Sequence, residues 1–289
     1  MENKKSNKGL IITIIILIIL LLGATGYICY DKGVFKFNKQ EIVTKPNNNK
    51  QLRLTEEEVS NIVKNIPYAT NNTSNKNFTA YAEQTQLNTI DKKLLIQFAI
   101  NNLDLTTYEE GMPKFVNEDN GYKYSKEEES APAEGYFSLD KVANFIKDKY
   151  NLDIDVDSLT EKNGYVTNAP GCGSIYYVNN YFCYLCSKGG TGITKVSDIV
   201  DYKLKNNKLI ITEKVGFLYT ELTSSNLYKD NFAKTNALLE NENIGQKPEE
   251  QLEKAKKYLS ENKEKFNSYK HTFNIVNEKY YWNSTELIQ

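Results

Sequence analysis

One histidine, His271, serves the whole chain, and that shortage alone narrows the chemistry. A serine or cysteine nucleophile would have to share this single imidazole. His271 stands in the alternating run YKHTF among bulky residues, where a packed strand histidine is the plainer reading. Zinc would need a fourth ligand beyond the three cysteines of the chain's body, and His271 is remote from them in sequence. Phosphate loops of the G-x-G-x-x-G and Walker types, a zinc-protease helix and a serine elbow are all missing, so no cofactor is implied. Net charge is nearly absent as well: 36 basic residues against 37 acidic ones leave -1. No whole-protein field gathers nucleic acid, which is set aside as a partner. Tryptophan occurs once beside 21 tyrosines, a bias that reflects an AT-rich coding sequence as much as selection for chemistry.

Charge is also lacking from one long stretch, GLIITIIILIILLLGATGYICY, Gly9 to Tyr30. At 1.5 Å per residue such a run spans about 33 Å of helix, enough to cross a bilayer. Lys4, Lys5 and Lys8 precede it, the flank that stays in the cytoplasm. Residues 1–8 are therefore expected as a cytoplasmic tail, 9–30 as a transmembrane helix in contact with lipid, and 31–53 as a polar linker containing Pro46 and an Asn triplet. A cleavable signal peptide competes, because Ala24-Thr25-Gly26 is a passable small-x-small site. Ile28 before Cys29 breaks the lipidation pattern. Residues 54–289 are long enough for one large domain or two small ones, and are expected outside the cytoplasm.

Within them, Thr55 and Glu58 form a capping box, and Val59, Ile62, Val63 and Ile66 share a helical face that Pro67 ends. A second helix is predicted over about Ile90 to Leu103, and a third is capped by Ser138 with Leu139, Val142, Phe145 and Ile146 inward. Pro248 opens a fourth helix reaching about Phe266, with Leu252, Ala255, Leu259 and Phe266 on its buried side. Strand pairs turn at Asn179-Asn180, Asn206-Asn207 and Asn277-Glu278, since asparagine tolerates the positive φ of tight hairpins. The stretch 104–137 lacks periodicity and is read as an irregular insertion, with a binding loop or a domain junction as the other choices. The result is an α+β fold: an N-terminal transmembrane helix, a linker, then helices packed on an antiparallel β-sheet built from hairpins.

Three of the four cysteines lie in GCGSIYYVNNYFCYLCSKGG. Outside the cytoplasm a disulfide is the default. A two-residue turn at Asn179-Asn180 places Gly173 opposite Cys186 and Tyr176 opposite Cys183, so Cys172 lies one residue off Cys186. Cys172–Cys186 is the expected pair, with Cys172–Cys183 as the alternative should a bulge shift the register. Cys183-x-x-Cys186 continues a β-like run rather than opening a helix, which disfavours redox catalysis. Ile175 stands where the papain-like GCGS string requires a second cysteine.

Asp153, Asp155 and Asp157 resemble the start of a calcium loop, but Ser158 replaces its glycine and Gly164 its bidentate Glu. A half-exposed strand, with Leu152, Ile154 and Val156 alternating, explains them as well. Tyr176, Tyr177, Tyr181 and Tyr184 would either form an aromatic platform for a glycan or partner strand or pack on and across the sheet, the favoured reading. Sequons at Asn71, Asn77 and Asn283 are expected by chance in so Asn- and Thr-rich a chain.

The short lysine tail, Ile-rich anchor, linker and closing YKHTFNIVNEKYYW hairpin resemble uncharacterised single-pass membrane-anchored exported proteins of low-GC Gram-positive bacteria in general plan. That resemblance implies no activity and assigns no residue. The expected role is a binding or interaction module at the cell membrane, with a cell-envelope protein or glycan as partner. A cell-envelope hydrolase using carboxylates, or a secreted protein after signal cleavage, are the alternatives.

Overall fold

A computed structural model describes residues 54–70, 75–118, 121–168, 171–221, 224–230, 237–242 and 247–288, the side chains at 171, 172, 187–191, 241 and 242 excepted. They belong to one unit, Leu54–Gln289. The expected anchor at 9–30 and linker at 31–53 lie outside the described residues. Among those described, no helix is long and apolar enough to cross a membrane.

The fold is α+β, as its element pattern predicts. Helix α1 (Glu56–Val63) starts at the capping box: Glu58 N donates to Thr55 Oγ1 at 3.2 Å and Thr55 N to Glu58 Oε2 at 2.7 Å. Helix α2 (Lys92–Asn102), capped by Asp91, is buried along every residue from Leu94 to Ile100. Helix α3 (Leu139–Tyr150) runs from the Ser138 cap to Asn151, whose left-handed φ of 51° ends it. Helix α4 (Pro248–Glu261) stops short of Phe266, and a 3-10 turn at Lys263–Lys265 carries that ring into the core.

Among the described residues ten strands form one antiparallel sheet, whose main path in numbering by chain order is β1-β13-β12-β9-β8-β7-β6. Its organising strand is β8 (Tyr181–Lys205). The first part of β8 pairs with β7 (Gly171–Val178) and β5 (Gly135–Ser138), the rest with β9 (Lys208–Thr220). On its other side β9 pairs with β12 (Asn267–Val276) and then with β10 (Ser224–Tyr228). Strand β13 (Lys279–Ile288) follows β12, with β1 (Gln84–Gln86) outside it. β6 (Tyr165–Asn168) pairs with β7, and β11 (Leu239–Glu242) with β10. Positive φ at both centres of Asn179-Asn180, Asn206-Asn207 and Asn277-Glu278 gives the expected two-residue hairpins, whose twist matches that of paired strands.

Helices α1, α2 and α3 bury Val59, Leu94, Phe98 and Ile146 against one sheet face, with Ile211, Val215 and Phe217 beneath them. On the other face α4 buries Ala255 and Leu259 with Val196, Leu218 and Leu227.

Two expectations need correction. The stretch 104–137 is not irregular throughout: β2 (Lys114–Glu118), β3 (Gly121–Ser125) and β4 (Ala131–Pro132) form a separate small sheet before β5. Strands of two to five residues are too short to print an alternation. The stretch 152–156 is not a strand; it leads into a 3-10 turn at Asp157–Leu159.

Gly216 marks the tightest contact between β9 and the α4 layer. A Cβ there would lie 2.7 Å from Phe266 Cε1 and 3.1 Å from Leu227 Cδ1. Both neighbours are buried, so Gly216→Ala should lower unfolding free energy by about 1–3 kcal/mol in denaturant titration.

Candidate functional site

The inward phase of β9 reads Leu209, Ile211, Glu213, Val215, Phe217, and one of these positions carries a charge. Glu213 is fully buried, so its carboxylate must be met by partners within the protein. Register supplies them from both sides. Tyr269 of β12 lies directly opposite Glu213, and His271 two residues further along. Lys195 arrives diagonally from β8, and Tyr81 reaches across from the segment before β1.

The Lys195 ammonium donates to Tyr81 Oη at 2.7 Å, to Glu213 Oε1 at 3.1 Å and Oε2 at 3.4 Å, and to the Val63 carbonyl at 3.3 Å. The last is a carbonyl at the C-terminus of α1, which also accepts from Ile66 N at 3.2 Å and where a cation is favoured. Tyr81 in turn donates its hydroxyl hydrogen to Glu213 Oε1 at 2.8 Å. His271 Nε2 lies 3.0 Å from the same oxygen, but its N–H direction is poorly aligned, so this contact is chiefly electrostatic.

The proton of His271 can be placed from its other side. Trp282 Nε1 only donates, and it lies 3.0 Å from Thr285 Oγ1. With Thr285 accepting from Trp282, its own hydrogen can go to His271 Nδ1 at 2.8 Å, the assignment that also turns an N–H rather than a lone pair toward the Glu213 carboxylate. The ring hydrogen of neutral His271 is left on Nε2, facing Glu213. One polar row thus crosses the buried sheet face from Lys195 on β8 through Glu213 and His271 to Thr285 on β13.

Burial favours the neutral form of each member, and mutual contact opposes it. Burial pushes the Glu213 carboxyl up, but Lys195, His271 and Tyr81 together outweigh it and hold it down at about 2. Burial pulls Lys195 below its ordinary value against the attraction of Glu213. It pulls His271 down too, and raises Tyr81 well above the phenol range, with the Glu213 charge adding to the effect. Lys195 and Glu213 side chains are 8% and 0% exposed, so this cluster offers nothing to a diffusing substrate.

The sequence singles out His271 as a strand residue, and it is one; its partners Lys195, Glu213 and Tyr81 escape notice there. The available signal was a charge at an inward position of an alternating run, as at Glu213.

Cys186 is disulfide-bonded, whereas Cys183 is a buried free thiol pushed up to about 12 by burial. Cys183, the second cysteine of the Cys172–Cys183 alternative, is thus free in the structure. Cys183 points into a cluster with Met112, Phe115, Tyr136, Tyr176 and Leu185, formed where the small sheet covers the β7–β8 hairpin. The expected register holds, with Gly173 opposite Cys186 and Tyr176 opposite Cys183, and it slips between Gly171 and Gly173, at Cys172. The side chain of Cys172 lies outside the described residues.

The hairpin tyrosines divide between two cores. Tyr176 and Tyr181 face the small sheet, where Tyr176 Oη accepts from Tyr122 N at 3.1 Å; Tyr177 and Tyr184 pack on the main core. Packing therefore accounts for them, as favoured. Asp153 pairs with Lys147 at 2.7 Å, and Asp155 accepts from Ser158 N at 3.4 Å. Among the described residues no group of three or more His, Cys, Asp or Glu is arranged to hold a metal.

Comparison with known proteins finds no family model, no curated protein and no solved structure that matches this chain.

Removing Glu213 leaves Lys195 buried without its counter-charge, so Glu213→Ala should cost about 3–5 kcal/mol of stability. His271 gives a pH signature. Its folded value lies below the unfolded 6.5, so the unfolded chain binds the proton first on acidification. Its contribution is complete above pH 6.5 and is lost as pH falls from there through the folded value. The expected slope is up to about 1.4 kcal/mol per pH unit. Because His271 is the one histidine, this slope near neutrality should vanish in His271→Gln when unfolding free energy is measured against pH.

Proposed function

We propose that this chain is a membrane-anchored extracytoplasmic binding or interaction module. Residues 9–30 lie in the lipid, residues 54–289 stand outside the cell, and a cell-envelope protein or glycan is the partner. The observation that carries the reading is the disulfide at Cys186, since such bonds persist in oxidising compartments and are rare in the cytosol. The partner cysteine in this reading is Cys172, because Cys183 is free and the strand register slips beside Cys172. The charge-free run at 9–30, behind a lysine tail, supplies the route out.

A carboxylate hydrolase is less well supported. A general acid needs a carboxyl raised toward neutrality. Among the described residues, hydrogen bonds and neighbouring cations hold the Glu58, Asp148 and Glu213 carboxyls below their ordinary values. Secretion after cleavage near Ala24-Thr25-Gly26 is the second reading, favoured by those small residues. The amino-terminal mass of the native protein separates the two: a start at Tyr27 defeats anchoring.

Protease added to intact cells should remove residues 54–289. Survival of that body until the cells are lysed would overturn the placement. In non-reducing denaturant an alkylating reagent should label Cys183 and spare Cys172 and Cys186 until a reductant is added. Cys186→Ser should cost about 2–4 kcal/mol of stability, in line with a closed loop of about 15 residues.

A further inference from the structure

Sealed inside the fold, the groups of the Lys195–Glu213 cluster have only one another to react with. We propose that Lys195 and Glu213 condense into an intramolecular amide that joins β8 covalently to β9.

Three observations carry this. The amine lies 3.1 Å from Oε1 and 3.4 Å from Oε2, so the two groups that condense are held in contact with each other. The two oxygens are then treated differently. Oε1 faces both the Tyr81 hydroxyl at 2.8 Å and His271 Nε2 at 3.0 Å. The Tyr81 hydroxyl donates to this oxygen and would stabilise the charge of a tetrahedral intermediate as an oxyanion-hole donor does, with the His271 ring adding an electrostatic contact. Oε2 meets neither of these groups; the amine at 3.4 Å can protonate it, and it is the oxygen that leaves. Finally, the surroundings are dry and aromatic: the Tyr81 ring contacts those of Tyr68, Phe217 and Tyr269 at centroid separations of 6.5, 5.3 and 5.1 Å. Water that would reverse the reaction is excluded, and condensation removes two charges from a poorly screened interior.

The ion pair described above is the reactant. Nζ first passes one proton to Oε2, giving an amine and a carboxylic acid. Its lone pair then attacks Cδ, forming the C–N bond while the charge gathers on Oε1. A second proton moves from nitrogen to the Oε2 hydroxyl, the C–Oε2 bond breaks, and one water departs. The product amide keeps one N–H. No oxidant, reductant or cofactor enters. Tyr81 and His271 touch the reacting oxygen and are the catalytic residues of this step, whereas Thr285 and Trp282 are positioning residues acting through His271.

Mass spectrometry of the purified, reduced full chain tests the bond. The expected result is a chain lighter than its sequence by one water, and a proteolytic digest containing a branched peptide that links Lys195 to Glu213. Lys195→Arg keeps the cation but should restore the full sequence mass. An unmodified wild-type mass would overturn the proposal, as would a water deficit that persists in Lys195→Arg or maps to other residues. Because the branched peptide is sought in the wild-type chain, the test does not depend on any variant folding.

Discussion

A carboxylate with no access to solvent is the constraint around which the sheet is arranged. Glu213 occupies a position on β9 that alternation reserves for an apolar side chain, and an isolated charge there would cost several kcal/mol. The strands on both sides answer it. β8 contributes an ammonium, β12 an imidazole held in one tautomer by Thr285 and Trp282 of β13, and the chain ahead of β1 contributes a phenol. These partners also fix register. A one-residue slip of β12 against β9 would turn His271 toward the opposite face and away from Glu213. The ammonium holds the C-terminal carbonyl of α1 as well, so the same charge locates a helix above the sheet.

Local chemistry shapes the sheet that carries this row. Tight turns with left-handed asparagines join β7 to β8 and β8 to β9, which lets the 25-residue β8 serve two neighbourhoods in succession. Its first part forms a hairpin covered on one side by the small β2–β4 sheet, and its second part lies at the centre of the main sheet. The junction falls near the register slip at Cys172 and the disulfide-bonded Cys186. There Glu134 accepts from Cys186 N at 3.0 Å, and Tyr122 donates to Cys186 O at 3.2 Å. Side chains of the covering segment thus tie down the same backbone that the disulfide constrains.

Much of the fold could be read from residue order because its determinants lie within a few positions of one another. The Thr55–Glu58 capping box, the Ser138 cap, Pro248 at a helix start and the three two-residue turns each act over two to four residues. The structure shows every one of them. The hairpin register around Asn179-Asn180 followed from turn length alone. The small sheet between 104 and 137 was illegible for the opposite reason. Its pairings, such as Lys114 with Ser125 and Phe115 with Ala131, join brief segments without periodicity, and Tyr176 and Leu185 from a distant hairpin complete its core.

The amino-acid order by itself therefore determined the helix caps, the two-residue turns and the hairpin register around Asn179-Asn180, because steric and hydrogen-bonding preferences of neighbours suffice for these. Only the tertiary structure decided which inward-facing charges meet. Tyr81 and Glu213 are 132 positions apart and Lys195 and Glu213 are 18 apart, yet all three share one oxygen-centred cluster. No local rule connects such residues. Long-range strand pairing brings them together, and exclusion of water makes the encounter chemically consequential.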